Sequence, residues 1–156
     1  MLPIEATTTA MLGAFPLAVS ATCSRGGGTL ELASDFTELR VEEPWVTATV
    51  GKARGSQGEG KELRVQLERK HALEVPYRAV LLNLPRGVTA TEAEVAPDAK
   101  EVIFALTIAA DAPAGRHRAF VVELHVPAGE GIARHRFGGG EIRVDPRAAT
   151  TAGSVR

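Results

Sequence analysis

Lys61-Glu62-Leu63-Arg64-Val65-Gln66-Leu67-Glu68 is the stretch that decides the fold of this chain. Leu63, Val65 and Leu67 occupy every second position, and charged or amide side chains fill the positions between them. Successive side chains of an extended strand point to opposite faces, so this spacing gives one apolar face and one solvated face. A helix would spread the same three residues around its circumference.

The pattern extends downstream. Val102, Phe104, Leu106 and Ile108 alternate with Glu101, Ala105 and Thr107, and Phe120, Val122, Leu124 and Val126 alternate with Glu123 and His125. Residues 77–84 supply Val80, Leu82 and Leu84, and shorter candidates cover 45–50, 88–95 and 134–144. This predicts about seven strands between residues 45 and 145, spaced as in an antiparallel β-sandwich. The connections agree. Residues 51–60 hold four glycines and read as a loop, Leu84-Pro85-Arg86-Gly87 and Asp111-Ala112-Pro113-Ala114-Gly115 read as turns, and residues 126–131 as a hairpin loop.

The chain also repeats itself. Ile4-Glu5-Ala6, Gly13 to Val19 and Glu38-Leu39-Arg40-Val41-Glu42-Glu43-Pro44 correspond to Ile108-Ala109-Ala110, Gly115 to Val122 and Glu141-Ile142-Arg143-Val144-Asp145-Pro146. Ile4 and Ile108 are 104 residues apart, Gly13 and Gly115 are 102 apart, and Glu38 and Glu141 are 103 apart. A period of about 100 residues is the size of a small domain, not of a solenoid unit. Residues 1–44 therefore read as the last strands of one domain, residues 45–146 as a complete copy, and residues 147–156 as a disordered tail. Three strands with one apolar face need a covering layer, so the partial copy calls for strands from upstream or from elsewhere.

Composition narrows the function. Hydrophobic residues at 44% support a packed core, and aromatics at 4% leave little stacking surface for sugars or bases. A formal net charge of -1 gives no global attraction to nucleic acid or to an anionic membrane. Cys23, the only cysteine, excludes an intrachain disulfide and a multi-cysteine metal site. No stretch has the length of a membrane span. The apolar run from Met11 to Val19 does not read as a signal peptide. Its first flanking basic residue is Arg25, Glu5 stands where a positive segment belongs, and Pro16 interrupts it.

Leu82-Asn83-Leu84-Pro85-Arg86-Gly87-Val88-Thr89-Ala90, followed by Ile108-Ala109-Ala110-Asp111-Ala112-Pro113-Ala114-Gly115, resembles the immunoglobulin-like β-sandwich repeats of large exported planctomycete-type bacterial proteins. Those repeats are similar to the NEW3-type domains beside some bacterial glycosidases. Asn83 stands where the repeat pattern has Gly. The resemblance covers residues 45–146 and, as a partial copy, 1–44. It implies an immunoglobulin-like fold, an exported parent protein (periplasmic, cell-surface or secreted) and a non-catalytic role beside other domains. It brings no catalytic residues.

Several constellations bear on chemistry. Gly55-Ser56-Gln57-Gly58-Glu59-Gly60-Lys61-Glu62 approaches a phosphate-binding loop, but Glu62 replaces the magnesium-holding Ser or Thr and a strand follows where a helix is required. It reads as a glycine-rich loop. Arg116-His117-Arg118 and Arg134-His135-Arg136 flank the 126–131 hairpin, and side by side they would form a cationic patch suited to carboxylates, sulfates or phosphates. The plainer reading is a solvated face balanced by Glu123, Glu130 and Glu141. Glu123, His125 and His135 lack an independent metal motif. No Gly-x-Ser-x-Gly elbow and no Cys/His pairing point to a nucleophile. Cys23 reads as a small buried hydrophobe, Trp45 as a core or inter-domain plug, and His71 as exposed.

The sequence thus predicts a structural or docking module of a larger exported protein, with no catalytic residues, cofactor or metal. The expected partners are neighbouring domains. The alternative is a module for an anionic polysaccharide or cell-envelope ligand, with Arg116, Arg118, Arg134 and Arg136 as binding residues.

Overall fold

The computed structural model of the chain describes residues 4–7, 9–129 and 131–147. The expected disordered tail, apart from Arg147, lies outside the described residues, as does Glu130. Among the described residues there are strands, turns and bends but no helix. The chain is all-β. It divides into two compact units, Met1–Glu43 and Pro44–Arg156.

The first unit holds β1 (Gly13–Leu17), β2 (Ser20–Arg25), β3 (Gly28–Ala33) and β4 (Thr37–Val41). β1 and β4 pair antiparallel from Gly13↔Val41 to Leu17↔Thr37. β2 and β3 form a hairpin that closes at Arg25↔Gly28. The two residues of its turn, Gly26 and Gly27, have φ of 59° and 84°. Two consecutive positive φ values are what a two-residue hairpin turn demands, and glycine meets that demand without a Cβ clash. Every residue of β2 and β3 is exposed. Cys23 is among them, so the expectation of a buried thiol is corrected: among the described residues of its unit no layer buries the hairpin.

The second unit holds β5 (Val46–Val50), β6 (Lys52–Ser56), β7 (Gly60–Arg69), β8 (Tyr77–Leu82), β9 (Val88–Ala90), β10 (Ala93–Val95), β11 (Glu101–Ile108), β12 (Gly115–His117), β13 (Val121–Ala128), β14 (Gly131–Phe137) and β15 (Glu141–Asp145). Three sheets result, in the orders β5-β7-β11-β9, β10-β8-β13-β14 and β12-β15-β6. All ladders are antiparallel except β15 with β6, which runs parallel. Their inner faces meet in one apolar core, a sandwich-like arrangement.

The alternation read from residues 61–68 builds this core directly. Leu63 and Val65 are fully buried and Leu67 is nearly so, while Phe104 lies opposite Leu63 and Val102 opposite Val65 on β11. Side chains of this size each contribute about 1.5–3 kcal/mol when fully withdrawn from water. Val122, Leu124 and Val126 on β13 and Ile142 and Val144 on β15 bring the other two sheets into the same core.

The strands outnumber the expected seven because several runs break where the chain changes sheets. Residues 51–60 contain β6 and a tight turn rather than one loop. β5 and β6 are separated by Gly51 alone, which donates its amide to the Arg64 carbonyl at 3.0 Å. A Cβ on Gly51 would lie 2.6 Å from that same oxygen, so only glycine permits the corner. The 88–95 run splits into β9 and β10, which join different sheets, and 134–144 splits into β14 and β15.

The two stretches that carry the family resemblance meet. β9 pairs with the end of β11 through Val88↔Ile108, and the Ala109 amide donates to the Gly87 carbonyl at 2.7 Å. A Cβ on Gly87 would come within 3.0 Å of Ala112 Cα. Asn83 has φ of 57°, the one positive value on a non-glycine residue among the described residues. Asn tolerates this left-handed conformation better than other side chains, so it can stand at a glycine position.

Candidate functional site

Two outward faces of the second unit concentrate charge. The first lies on β8, β13 and β14, where β13 sits between its two partners. Cross-strand pairs share a face. Val80↔Glu123↔Arg136 form one row and Arg78↔His125↔Arg134 the next. Glu123, assigned to solvent by the alternation, is 4% exposed. His125 Nε2 lies 2.5 Å from its Oε1, and Arg136 Nε donates to its Oε2 at 2.6 Å. Burial alone would push the Glu123 carboxyl up, but the bonds and charges of Arg136 and His125 outweigh it and hold it below the usual carboxylate range. Its position in the unbroken run Val121-Val122-Glu123-Leu124 was the one available sign of burial.

His135 does not join this group. It pairs with Leu124, on the core side, together with Ala133↔Val126 and Phe137↔Val122. Its Nε2 is buried without a hydrogen-bond partner, and burial pushes its pKa below the ordinary histidine value. Glu123, His125 and His135 are therefore split between two faces. No group of three metal-ligating side chains occurs among the described residues.

The second face belongs to β12, β15 and β6. Arg116 lies opposite Arg143, and Arg143 opposite Arg54, so three arginines form one row across three strands. Lys52 lies opposite Glu141 in the adjacent outward row, and Asp145 opposite Ser56 on the other side. Arg118, just beyond β12, binds Glu141 with both Nε (2.6 Å) and Nη2 (2.5 Å). Asp145 accepts from Arg54 Nε at 2.5 Å and Arg143 Nε at 2.8 Å. These arginines hold both carboxyls below their ordinary range.

The two basic triplets are therefore not neighbours in any ladder. Arg116 and Arg118 belong to the β12-β15-β6 sheet, Arg134 and Arg136 to the sheet of β13 and β14. The chain leaves one sheet after His117 and enters the other at Val121, a break that alternation through Phe120 does not reveal. Arg54 and Arg143 join the patch through the parallel β15–β6 pairing, which no local pattern announces.

The remaining residues singled out by sequence lie in turns, or in or beside the core. The phosphate-loop look-alike is a turn in which Gly58 has φ of 84°, and a Cβ on Gly55 would lie 2.9 Å from Ile108 Cδ1. Tyr77 is buried. Trp45 packs partly buried against the core, its ring 6.4 Å from that of the exposed His71.

Among the described residues, no helix is long and apolar enough to cross a membrane. No family model matches the chain, and no curated protein matches it. Among solved structures it is similar to a crystal structure of a protein of unknown function from Porphyromonas gingivalis W83, with 13% identity and a TM-score of 0.44. The match covers 67% of this chain and 49% of the other, so the chain spans about half the length of that protein.

Proposed function

We propose that the chain is a non-catalytic, immunoglobulin-like β-sandwich module in partial tandem, a spacer or docking body in a larger exported bacterial protein. One observation carries the reading. Strand pairs in the two units share their register at a fixed offset. Cys23↔Leu30 and Ser20↔Ala33 in the first unit correspond to Val126↔Ala133 and Glu123↔Arg136 in the second, each 103 residues on. Both hairpins close over two residues, and Gly26 (φ 59°) corresponds to Gly129 (φ 56°). Gly13↔Val41 and Gly115↔Val144 also open equivalent ladders, offset by 102 residues on one strand and 103 on the other, with φ of 145° and 143° at the two glycines. The exported setting and the NEW3-like kinship are drawn from the resemblance of residues 82–90 and 108–115.

A chimera tests the repeat: residues 115–145 of the full chain are replaced by residues 13–42. Equivalent segments give a chain that still unfolds cooperatively, at lower stability because Leu124 and Val126 become Ala and Cys. A chimera without a cooperative transition, beside a Leu124→Ala/Val126→Cys control that keeps one, would overturn the equivalence. Peptide and ester hydrolysis should stay at the buffer rate. Turnover that co-purifies with the chain and disappears in Glu123→Gln would overturn the non-catalytic half.

A second reading, a module for an anionic polysaccharide or cell-envelope ligand, is favoured by the unbalanced arginines. Arg116 and Arg134 make no ion pair or hydrogen bond among the described residues, while Arg118 and Arg136 hold Glu141 and Glu123.

A further inference from the structure

We infer that the outward face of β12-β15-β6 binds an acidic polysaccharide, with the row Arg116–Arg143–Arg54 as its contact line. This rests on the second reading above and adds Arg54, Arg143 and Lys52 to it, while assigning no contact to Arg134 and Arg136.

Like charges placed directly opposite one another across strands destabilise a sheet. Here the arrangement occurs twice in succession, Arg116 against Arg143 and Arg143 against Arg54. Compensation within the face is incomplete. Lys52, Arg54, Arg116, Arg118 and Arg143 supply five cations, and Glu141 and Asp145 two carboxylates, leaving three positive charges in excess. Both carboxylates are already engaged, Asp145 by Arg54 and Arg143, Glu141 by Arg118. That leaves Arg116 exposed and, among the described residues, with no hydrogen bond or ion pair of its own, only the longer-range pull of Glu141; it lies beside an open depression lined by Gly115, Arg143, Val144, Asp145 and Pro146. The next carboxylate, Glu59 in the turn after β6, is taken by Lys61 and the Ser56 amide.

The geometry selects an extended ligand. Adjacent strands lie about 4.8 Å apart, so the row spans roughly 10 Å and runs across the strands. A polymer that carries a carboxylate or sulfate at short, regular intervals can meet several guanidinium groups at once, each with bidentate bonds. Single-stranded nucleic acid fits less well. It needs aromatic platforms for its bases, and the outward positions of these three strands, Lys52, Arg54, Ser56, Arg116, Glu141, Arg143 and Asp145, include none.

The experiment uses the full chain in ~50 mM NaCl, where screening is weak, with dextran sulfate, polygalacturonate and oligodeoxythymidylate as probes. Binding to one or both acidic glycans is expected, weakening as salt rises, with little binding to the oligonucleotide. Arg116→Gln should weaken it roughly five- to tenfold, as expected for a charge-assisted contact on an exposed surface. Arg116 makes no hydrogen bond or ion pair among the described residues, so the variant's fold should be unaffected, and unchanged thermal unfolding checks this. Arg134→Gln should bind like the parent. Loss in Arg134→Gln but not in Arg116→Gln overturns this inference and leaves the second reading standing. Absence of glycan binding overturns both, and stronger binding to the oligonucleotide overturns the choice of a glycan. The chimera result is independent of all three.

Discussion

Replacing Glu123 by Gln isolates the charge of a carboxylate buried on an outward sheet face. The substitution keeps the shape and one oxygen, but its amide group turns a donor toward a site that holds donors from Arg136 and His125. A unit pair near a protein surface gains about 4 kcal/mol of Coulomb energy at 4 Å, and much of that is spent desolvating the carboxylate. Glu123 has a side chain 5% exposed, but Arg136 is 50% exposed, so solvent screens the pair from one side. The net loss in Glu123→Gln should be about 2 kcal/mol, toward the lower end for a buried charge that keeps a polar neighbour. For a unit of this size that lowers the melting temperature by roughly 8 °C.

The pH dependence carries the decisive sign. The Glu123 carboxyl titrates below its ordinary value of 4.5 in the folded chain. A depressed folded pKa adds stability that is present above the unfolded value and is lost as pH falls through the folded one. Thermal melts from pH 7 down to pH 3 should therefore show the parent approaching Glu123→Gln below about pH 4.5. A double-mutant cycle with Arg136→Gln should give a coupling of about 1 kcal/mol at pH 7. A gap between parent and variant that stays constant to pH 3, together with additive single variants, would refute the reasoning. The loss would then belong to packing.

Gly55→Ala drives a Cβ toward Ile108 Cδ1 and the Lys61 side chain and should cost about 1–3 kcal/mol in chemical denaturation. Leu124→Ala should cost about 2–5 kcal/mol by the same measure, because Leu124 is fully buried at the centre of β13. His135→Leu should stabilise by about 1 kcal/mol by removing a buried nitrogen that has no partner. Because burial lowers the His135 pKa, the parent loses stability as pH falls below about 6.5, and the variant should lack that part of the acid slope. Cys23 should react with a soluble thiol reagent in the native chain at the rate of a free peptide thiol; strong protection without denaturant would show that another layer covers β2.

The core was legible because burial and alternation are the same statement on a strand. Leu63, Val65, Phe104, Leu106, Val122 and Leu124 could be assigned from spacing alone. Sheet changes were not legible, because they depend on contacts distant in sequence. Gly51 looks like any loop glycine until the Arg64 carbonyl is seen against it, and the run 115–126 gives no sign that β12 and β13 separate. The charged faces suffered most. Arg116 and Arg134 were visible as residues, but their neighbours were fixed by pairing β12 with β15, and by the parallel pairing of β6, 91 residues from its partner by the Arg54–Asp145 bond. Glu123 failed differently: strict alternation puts it outside, but a central strand flanked on both sides leaves its outer face partly covered.

The shared register supplies an internal reference for separating fold from function. Phe120, Val122, Leu124, Val126, Ile142 and Val144, all buried, correspond at an offset of 103 to Leu17, Val19, Ala21, Cys23, Leu39 and Val41, every one small or apolar. Each of those positions in the first unit is exposed or only partly buried, so its apolar character is not explained by burial there. It is explained if such strands are built to be covered as β13 and β15 are covered. The outward positions are mixed: Glu141 and Arg143 repeat Glu38 and Arg40, but others differ. Glu123, His125 and Arg136 correspond to Ser20, Thr22 and Ala33, and Arg116 to Ala14 at the 102 offset of its ladder. Inner positions thus keep one requirement throughout the two units, whereas outer positions keep theirs only in part. A sandwich needs the first set in order to fold and has no use for the second. The charges that distinguish the second unit are therefore where a particular activity of that unit must be sought, and Arg116, which stands against the shared Arg143 where the first unit has Ala14 against Arg40, is the part of that difference left with no hydrogen bond or ion pair among the described residues.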